Sequence, residues 1–309
     1  MPDAIEPAAN DGQSTDHGGL GKRRSWLVTG SSRGLGRAIV EYALSRGDEV
    51  LATARDTADL DDLVSAFPQT LRTFRLDVTD PEAAHAAVAA AIDAFGRLDV
   101  LVNNAGFGMI SPFEQTTPAS FREQVETNLF GVVHLVRAAL PAMRGQRSGH
   151  IINVSSIGGR LGVPGLGAYQ TAKWAVGGFT EAVSQEIAPF GVQMISVEPG
   201  GMRTDWGAGA QGVSHELMPE YEPTVGARLG MMSKFVGNEV GDPAKVAKVI
   251  FDLSRTAKLP AHLILGSDAL QVFAQGDAAR RKEAEDWLEV SRSTDFDGGD
   301  ISYLDDSPS

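Results

Sequence analysis

The chain has 309 residues, and 27 basic against 40 acidic side chains give it a formal net charge of −13. It contains no cysteine, which excludes thiol catalysis, cysteine-ligated metal centres and a disulfide framework. The acidic excess argues against a nucleic-acid or anionic-membrane surface. The sequence also lacks a long apolar run and a hydrophobic signal core. We therefore expect a cytoplasmic protein without nucleic-acid or membrane partners.

Short apolar runs alternate with longer helical patterns, and this order predicts an α/β protein with a doubly wound parallel sheet flanked by helices. Helices are expected to start at Asp80-Pro81, Thr117-Pro118 and Asp242-Pro243, where a capping side chain precedes a proline. The predicted strands are Trp26–Thr29, Val50–Ala54, Thr73–Leu76, Val100–Asn103, Ile151–Ser155, Gln193–Val197 and Leu263–Leu265.

No internal repeat or linker divides this pattern, so we predict one domain over residues 25–292. Residues 1–24 and 293–309 are polar, and we expect a disordered N-terminal tail and a polar C-terminal tail. Residues 201–241 follow the sixth predicted strand and are rich in glycine, methionine and aromatic residues. Such a long connection is typical of a lid over a substrate site.

The first strand leads into three glycines, Gly30, Gly34 and Gly36, and then into a helical pattern. Glycines allow the backbone to approach a pyrophosphate, whose charge is met by amides at the helix N-terminus. The spacing differs from the usual G-x-G-x-x-G. A tight strand–helix turn without a ligand is therefore the alternative to a dinucleotide site.

Arg55 follows the second predicted strand, and Arg33 lies in the glycine turn. Arginines at this place accommodate the 2′-phosphate of NADP, whereas an acid binds the 2′-hydroxyl of NAD. The pair favours NADP(H) over NAD. Two alternatives stay open: a solvated Arg55, or a ribose-binding Asp56 one position further on.

Tyr169 and Lys173 are four residues apart at the start of a predicted helix and so share one helical face. A neighbouring ammonium lowers the pKa of a phenol and makes it a better acid or base near neutral pH. Ser156 follows the fifth predicted strand, at the edge of the sheet where ligands bind. A Tyr/Lys pair alone is usually a surface pair, but together with the glycine turn it indicates a catalytic site.

The ordered set of motifs resembles the single-domain branch of the short-chain dehydrogenases/reductases, from about Ser25 to Gly266. Thr29–Gly36 reads TGxxxGxG, Asn103–Gly106 reads NNAG, and Ser156 with Tyr169-x₃-Lys173 completes the pattern. Beyond residue 200 the chain is loosely similar to 17β-hydroxysteroid-dehydrogenase-like and retinol-dehydrogenase-like members.

The resemblance implies a Rossmann-type fold and an NADP(H)-dependent oxidoreductase that transfers hydride between the nicotinamide and an apolar ketone or secondary alcohol. Tyr169 would be the proton donor in reduction, and Lys173 would lower its pKa and bind the nicotinamide ribose. Ser156 would orient the substrate oxygen, and Asn128 would help hold a water linked to Lys173. The alternatives are an NAD-preferring dehydrogenase and a non-catalytic nucleotide-binding scaffold or redox sensor.

The resemblance also implies a set of cofactor-binding positions. Asp77 and Val78 would border the adenine, although Asp77 has the alternative of capping the turn before Pro81. Thr204 and the backbone after Pro199 would receive the carboxamide. The full set is Gly30, Ser32, Arg33, Gly34, Leu35, Gly36, Arg55, Asp77, Val78, Asn104, Ala105, Gly106, Tyr169, Lys173, Pro199, Gly200, Met202 and Thr204.

The substrate pocket is expected between the loop after the fourth strand, the stretch after Ser156 and the 201–241 segment. An apolar lining suits an apolar ketone or alcohol better than a sugar. The histidines show no metal-ligand spacing, so no catalytic metal is predicted. Family resemblance implies a homodimer or homotetramer through helices near 118–140 and 168–187. The candidate pocket residues are Phe107, Met109, Ile157, Leu161, Val163, Trp206, Met218 and Met232.

Overall fold

The computed structural model describes residues 22–210 and 216–302. Most of the tail expected before residue 25 therefore lies outside the described residues, as do residues 303–309 of the expected C-terminal tail. Among the described helices, none is both long enough and apolar enough to cross a membrane.

Seven strands form one parallel sheet in the order β3-β2-β1-β4-β5-β6-β7. Each predicted strand is present, but Thr73–Leu76 was placed too late: β3 pairs only with β2, and residues 71–75 lie opposite residues 50–54. The strands are β1 Ser25–Thr29, β2 Glu49–Ala54, β3 Leu71–Arg75, β4 Val100–Asn103, β5 Gly149–Val154, β6 Val192–Pro199 and β7 His262–Leu265.

The helices begin where the capping residues predict. Asp80 accepts backbone hydrogen bonds from Glu82 and Ala83, and Thr117 and Asp242 cap their helices in the same way. The α-helices are α1 Gly34–Ser45, α2 Asp61–Ala66, α3 Pro81–Phe95, α4 Pro118–Val125, α5 Gly131–Gln146, α6 Gly167–Ile187, α7 Trp206–Ala210, α8 Ala227–Phe235, α9 Pro243–Leu253, α10 Ser267–Asp286 and α11 Leu288–Arg292. Wider π-helical turns precede α5 at Glu126–Phe130 and α8 at Glu222–Gly226.

Two apolar layers cover the sheet, one on each face. Trp26 and Val28 of β1 pack with α1 and α9, whereas Leu27 between them packs with α3, α5 and α6. Successive residues of a strand point to opposite faces, so a strand buried on both faces is apolar throughout. This explains why the strands read as short apolar runs in the sequence.

The strand order reverses between β1 and β4, which are neighbours in the sheet. In doubly wound sheets the crevice at such a switch point, outside the carboxyl ends of the strands, is where ligands bind. The glycine turn follows β1, and the Asn103–Gly106 segment follows β4. The fold therefore brings both motifs to one crevice.

The two ends of the 201–241 segment lie side by side. Met202 and Gly241 form an isolated parallel bridge, and the amide of Gly241 donates to the carbonyl of Gly201 at 3.0 Å. Between these ends the described residues form α7, α8 and shorter helical turns. Val225, Leu229 and Met232 of this segment join a third apolar cluster that includes Tyr169.

Candidate active site

Glycine is required at three places in the turn between β1 and α1. Gly30 and Gly34 have φ values of 66° and 56°, which side chains rarely adopt. At Gly36 a Cβ atom would overlap the carbonyl oxygen of Gly30. Arg33, the residue before α1, gives no side-chain cap to the first amides of the helix. Those amides are available to an anion such as a pyrophosphate.

Asn104 fixes the end of β4 to this turn. Its side-chain amide donates to the carbonyls of Thr29 and Gly30, at 2.9 and 3.1 Å. The Thr29 hydroxyl accepts from the backbone amides of Asn104 and Ala105, each at 3.0 Å. Ala105 packs so closely that its Cα would lie 2.9 Å from a Cβ on Gly30. Asn104 therefore shapes the crevice wall.

Arg55 lies directly after β2, as predicted, and is exposed. Asp56 accepts from the amide of Ala58 at 3.0 Å, so its carboxylate serves a local turn. Asp77 accepts from the amide and hydroxyl of Thr79, and these hydrogen bonds hold its pKa below the ordinary value, with a smaller contribution from the charge of Arg55. Asp77 thus has the turn-capping contacts anticipated as its alternative role.

Tyr169, in the first turn of α6, is buried, and both its ring and the Ser156 Oγ lie close to Gly158. Ser156 caps the short helical turn after β5, where its Oγ accepts from the amide of Gly158 at 3.0 Å. Burial raises the pKa of Tyr169 to about 12, and the neighbouring Ser156 side chain opposes this only in part. The expected lowering of this pKa by Lys173 is therefore wrong for this structure.

Lys173 lies beneath the tyrosine ring, with its Nζ 5.8 Å from the ring centroid. Nζ donates to the carbonyl of Val154 at 2.8 Å, and burial lowers the pKa of Lys173 to about 8. Desolvation dominates because the side chain is 5 % exposed and has no carboxylate partner among the described residues.

Asn128 lies in the π-helical turn between α4 and α5 and is fully buried. Its Nδ2 donates to the carbonyls of Phe107 and Gln124, both at 2.8 Å, whereas its buried Oδ1 has no hydrogen-bond partner among the described residues. A Cβ on Gly106 would lie 2.6 Å from this Oδ1 and 3.5 Å from Lys173 Nζ. The amide oxygen and the amine therefore border the same small space.

The backbone after β6 passes beside the glycine turn. The amide of Gly200 donates to Leu265, and that of Gly201 donates to Asp268 Oδ2, each at 2.9 Å. Further along, Thr204 comes within 3.5 Å of the place where a Cβ on Gly34 would lie. The predicted carboxamide-binding segment is thus held at the crevice.

Three of the candidate pocket residues lie against Tyr169 or the apolar cluster that contains it. The Trp206 ring lies 5.2 Å from the tyrosine ring, and Val163 and Met232 belong to the apolar cluster around it. The Met109 sulfur instead accepts from the Ser120 hydroxyl at 3.6 Å. The remaining candidates, Phe107, Ile157, Leu161 and Met218, are half-buried around this region but are not members of the cluster.

Sequence reasoning missed several residues of this wall. Ile110, Leu166, Ala210 and Val225 are buried members of the cluster. The spacing of Val225, Leu229 and Met232 was a signal for an inward helical face. Asp268 had no such signal, because its contact with Gly201 joins residues 67 positions apart. No group of metal-ligating side chains is found in the part of the chain that the structure describes.

The sheet, the glycine crevice, the buried Tyr169 and Lys173 and the half-buried Ser156 define a nucleotide-binding oxidoreductase architecture. Residues 24–211 match the family model described as short chain dehydrogenase. The chain is 44 % identical over 268 residues to Oxidoreductase BOA17 of Botryotinia fuckeliana, covering 86 % of this chain and 97 % of that protein. The chain therefore belongs to the short-chain dehydrogenase family and is an enzyme acting on alcohol or ketone groups.

Solved structures agree with this assignment. A short-chain dehydrogenase from Streptomyces avermitilis superposes with a TM-score of 0.81 at 41 % identity, covering 89 % of this chain and all of that one. A metagenomic short-chain oxidoreductase in complex with NADP gives a TM-score of 0.63 at 28 % identity and covers 78 % of this chain and 96 % of that one.

Proposed function

We propose that this enzyme transfers hydride between NADP(H) and an apolar ketone or secondary alcohol, with Ser156, Tyr169 and Lys173 moving the proton. The observation that carries this proposal is the placement of Tyr169 beside Ser156 and over the Lys173 amine, at the ligand-binding edge of the sheet. The bound nicotinamide would supply or accept the hydride. The chain's own contribution is alignment and proton transfer.

Tyr169 suits the role of proton donor to a carbonyl oxygen. With a pKa of about 12 the phenol keeps its proton at neutral pH. Ser156 can donate a hydrogen bond to the same carbonyl oxygen and hold it beside the phenol. Lys173 Nζ and the unpartnered Asn128 Oδ1 both lie close to Gly106, and we expect them to bind a water that returns the proton to Tyr169.

The glycine turn fits a dinucleotide on geometric grounds. Its backbone is open to a pyrophosphate, and the first amides of α1 have no side-chain cap. NADP is favoured over NAD because Arg33 and Arg55 are exposed and form no ion pair with any described residue. Asp56 and Asp77 are already engaged in their own turns.

The proposal is tested with purified enzyme and a panel of apolar ketones and secondary alcohols, each with NADP(H) and NAD(H), monitored by nicotinamide absorbance. Tyr169→Phe should lose turnover by roughly a hundredfold or more while NADPH still binds. Tyr42→Phe is the matched control, since Tyr42 packs against Phe251 on α9. Undiminished turnover in Tyr169→Phe would refute the proton-transfer role, and a wholly inactive wild type would favour the non-catalytic scaffold.

A further inference from the structure

Arg228 on α8 has no counter-ion among the described residues. Its Nε is buried and has no hydrogen-bond partner among the described residues, and no described carboxylate forms an ion pair with it. Burial lowers the pKa of Arg228, and no neighbouring charge opposes that shift. The undescribed residues 211–215 of the same segment include no acid. The side chain as a whole is only half-buried, which leaves the terminal guanidinium nitrogens accessible to an anionic ligand.

The position of Arg228 places it on the inner face of the segment. Val225, Leu229 and Met232 belong to the apolar cluster around Tyr169. Arg228 is adjacent to Leu229 and one helical turn from Val225 and Met232. Lys234 and other residues of the outer face are exposed. Arg228 therefore lies on the side of the helix that carries the residues packed in the cluster around Tyr169.

We propose that Arg228 binds a carboxylate of the substrate, so that the preferred substrate is an apolar ketone or secondary alcohol with a carboxylate remote from the reacting carbon. This inference rests on the proposed function of Tyr169. The two terminal nitrogens of a guanidinium form a fork that fits the two carboxylate oxygens. One isolated cation matches the single charge of a carboxylate, whereas a phosphate dianion would leave a negative charge unpaired.

Binding is measured apart from turnover, by calorimetry in the presence of NADP⁺, with 4-isopropylbenzoate and its methyl ester. The wild type should bind the acid roughly tenfold or more tightly than the ester. Arg228→Gln should abolish that preference and leave ester binding unchanged, and Arg228→Lys should restore part of it. Lys234→Gln, which removes a charge from the outer face of α8, should behave as wild type.

A wild type without preference for the acid would overturn the proposal, as would an Arg228→Gln variant that keeps the preference or loses acid and ester binding equally. Retained NADPH binding shows that the variant is folded. Turnover is then compared for 4-acetylbenzoate and its methyl ester. If the wild type prefers the acid analogue through Arg228 but reduces neither ketone, the failure belongs to the proposed function and not to the carboxylate site.

Discussion

Burial determines the ionisation of both polar side chains at the centre of the site. It raises the pKa of Tyr169 to about 12 and lowers that of Lys173 to about 8. The two shifts have opposite signs because burial disfavours the charged form, which is the phenolate of tyrosine and the ammonium of lysine. At neutral pH the tyrosine is therefore held as an acid, while the charge on Lys173 is maintained at a cost to stability.

Lys173→Met should stabilise the protein at pH 7. The pKa of Lys173 is about 8 when folded and 10.5 ordinarily, so the cost of the buried charge is complete below pH 8 and fades as pH rises toward 10.5. When the loss of the hydrogen bond to Val154 is subtracted, the free energy of unfolding should rise by roughly 2 kcal/mol at pH 7. Denaturant unfolding at pH 7 and 9.5 measures it. Lys234→Met is the exposed control, and an equal gain at both pH values would contradict this account.

Arg55→Ala should weaken NADPH binding by roughly tenfold and leave NADH binding unchanged, since only NADPH carries the 2′-phosphate. Fluorescence titration of both cofactors measures the two dissociation constants. Arg72→Ala serves as the control: it removes one exposed guanidinium from the start of the neighbouring strand β3. A loss of affinity for both cofactors alike would remove the reason for preferring NADP.

The sequence identifies Ser156, Tyr169 and Lys173 because the end of a strand and the start of the next helix meet at one edge of a parallel sheet. It does not identify Arg228 as an isolated cation. Isolation depends on distances to acids carried by other elements, and neighbouring sequence gives no measure of them. For the same reason the direction of the Tyr169 pKa shift was wrong: spacing showed the lysine nearby but not the depth of burial.

The glycine turn shows how tightly an element can depend on one position. Gly36→Ala should abolish cofactor binding and destabilise the protein, because the new Cβ would overlap the carbonyl of Gly30 and approach the Asn104 amide. Gly145→Ala is the matched helical control, with no atom within 4 Å of the added Cβ. It should gain about 0.5–1 kcal/mol of stability. NADPH titration and thermal unfolding of both variants measure these effects. Cofactor binding by Gly36→Ala would show that the turn can relax around the new Cβ atom.

Elements with strong local signals were predicted closely. Proline and capping side chains fixed the starts of α3, α4 and α9, and apolar runs located the central strands. β3 was less well located because it is an edge strand whose limits follow its pairing with β2. The helices within residues 201–241 were not predicted. Val225, Leu229 and Met232 have helical spacing, but glycines interrupt the pattern in the rest of the segment.

At the scale of the whole molecule, Asp48 joins distant parts of the chain. It is 1 % exposed, accepts from the Trp26 indole at 2.8 Å, and pairs with Arg255, 207 residues away, at 2.6 Å. Asp48→Asn should cost about 3 kcal/mol, because it leaves Arg255 without its charge partner. Asp252→Asn, in the exposed pair with Lys248, should leave stability unchanged. Denaturant unfolding of both variants provides the comparison, and equal stabilities would show that the buried pair contributes nothing.

Such long-range pairs mark the limit of what sequence reasoning can reach. The alternation of strands and helices predicts a parallel sheet, but strand order and register depend on contacts between residues far apart in the chain. The crevice between β1 and β4 and the placement of Asp268 against Gly201 follow from that order. The functional motifs could be recognised without knowledge of the strand order, whereas the distances between their residues could not be predicted.

The bridge between Met202 and Gly241 gives the segment that it encloses a degree of independence. The two ends are hydrogen-bonded to each other, so the loop is already closed at this point. The entropic cost of loop closure grows only slowly with length, so a longer interior would add little to it. Homologues could therefore exchange this interior, and with it the range of molecules they accept, while the sheet and the dinucleotide crevice stay intact. Selectivity and hydride chemistry would then be free to evolve at different rates.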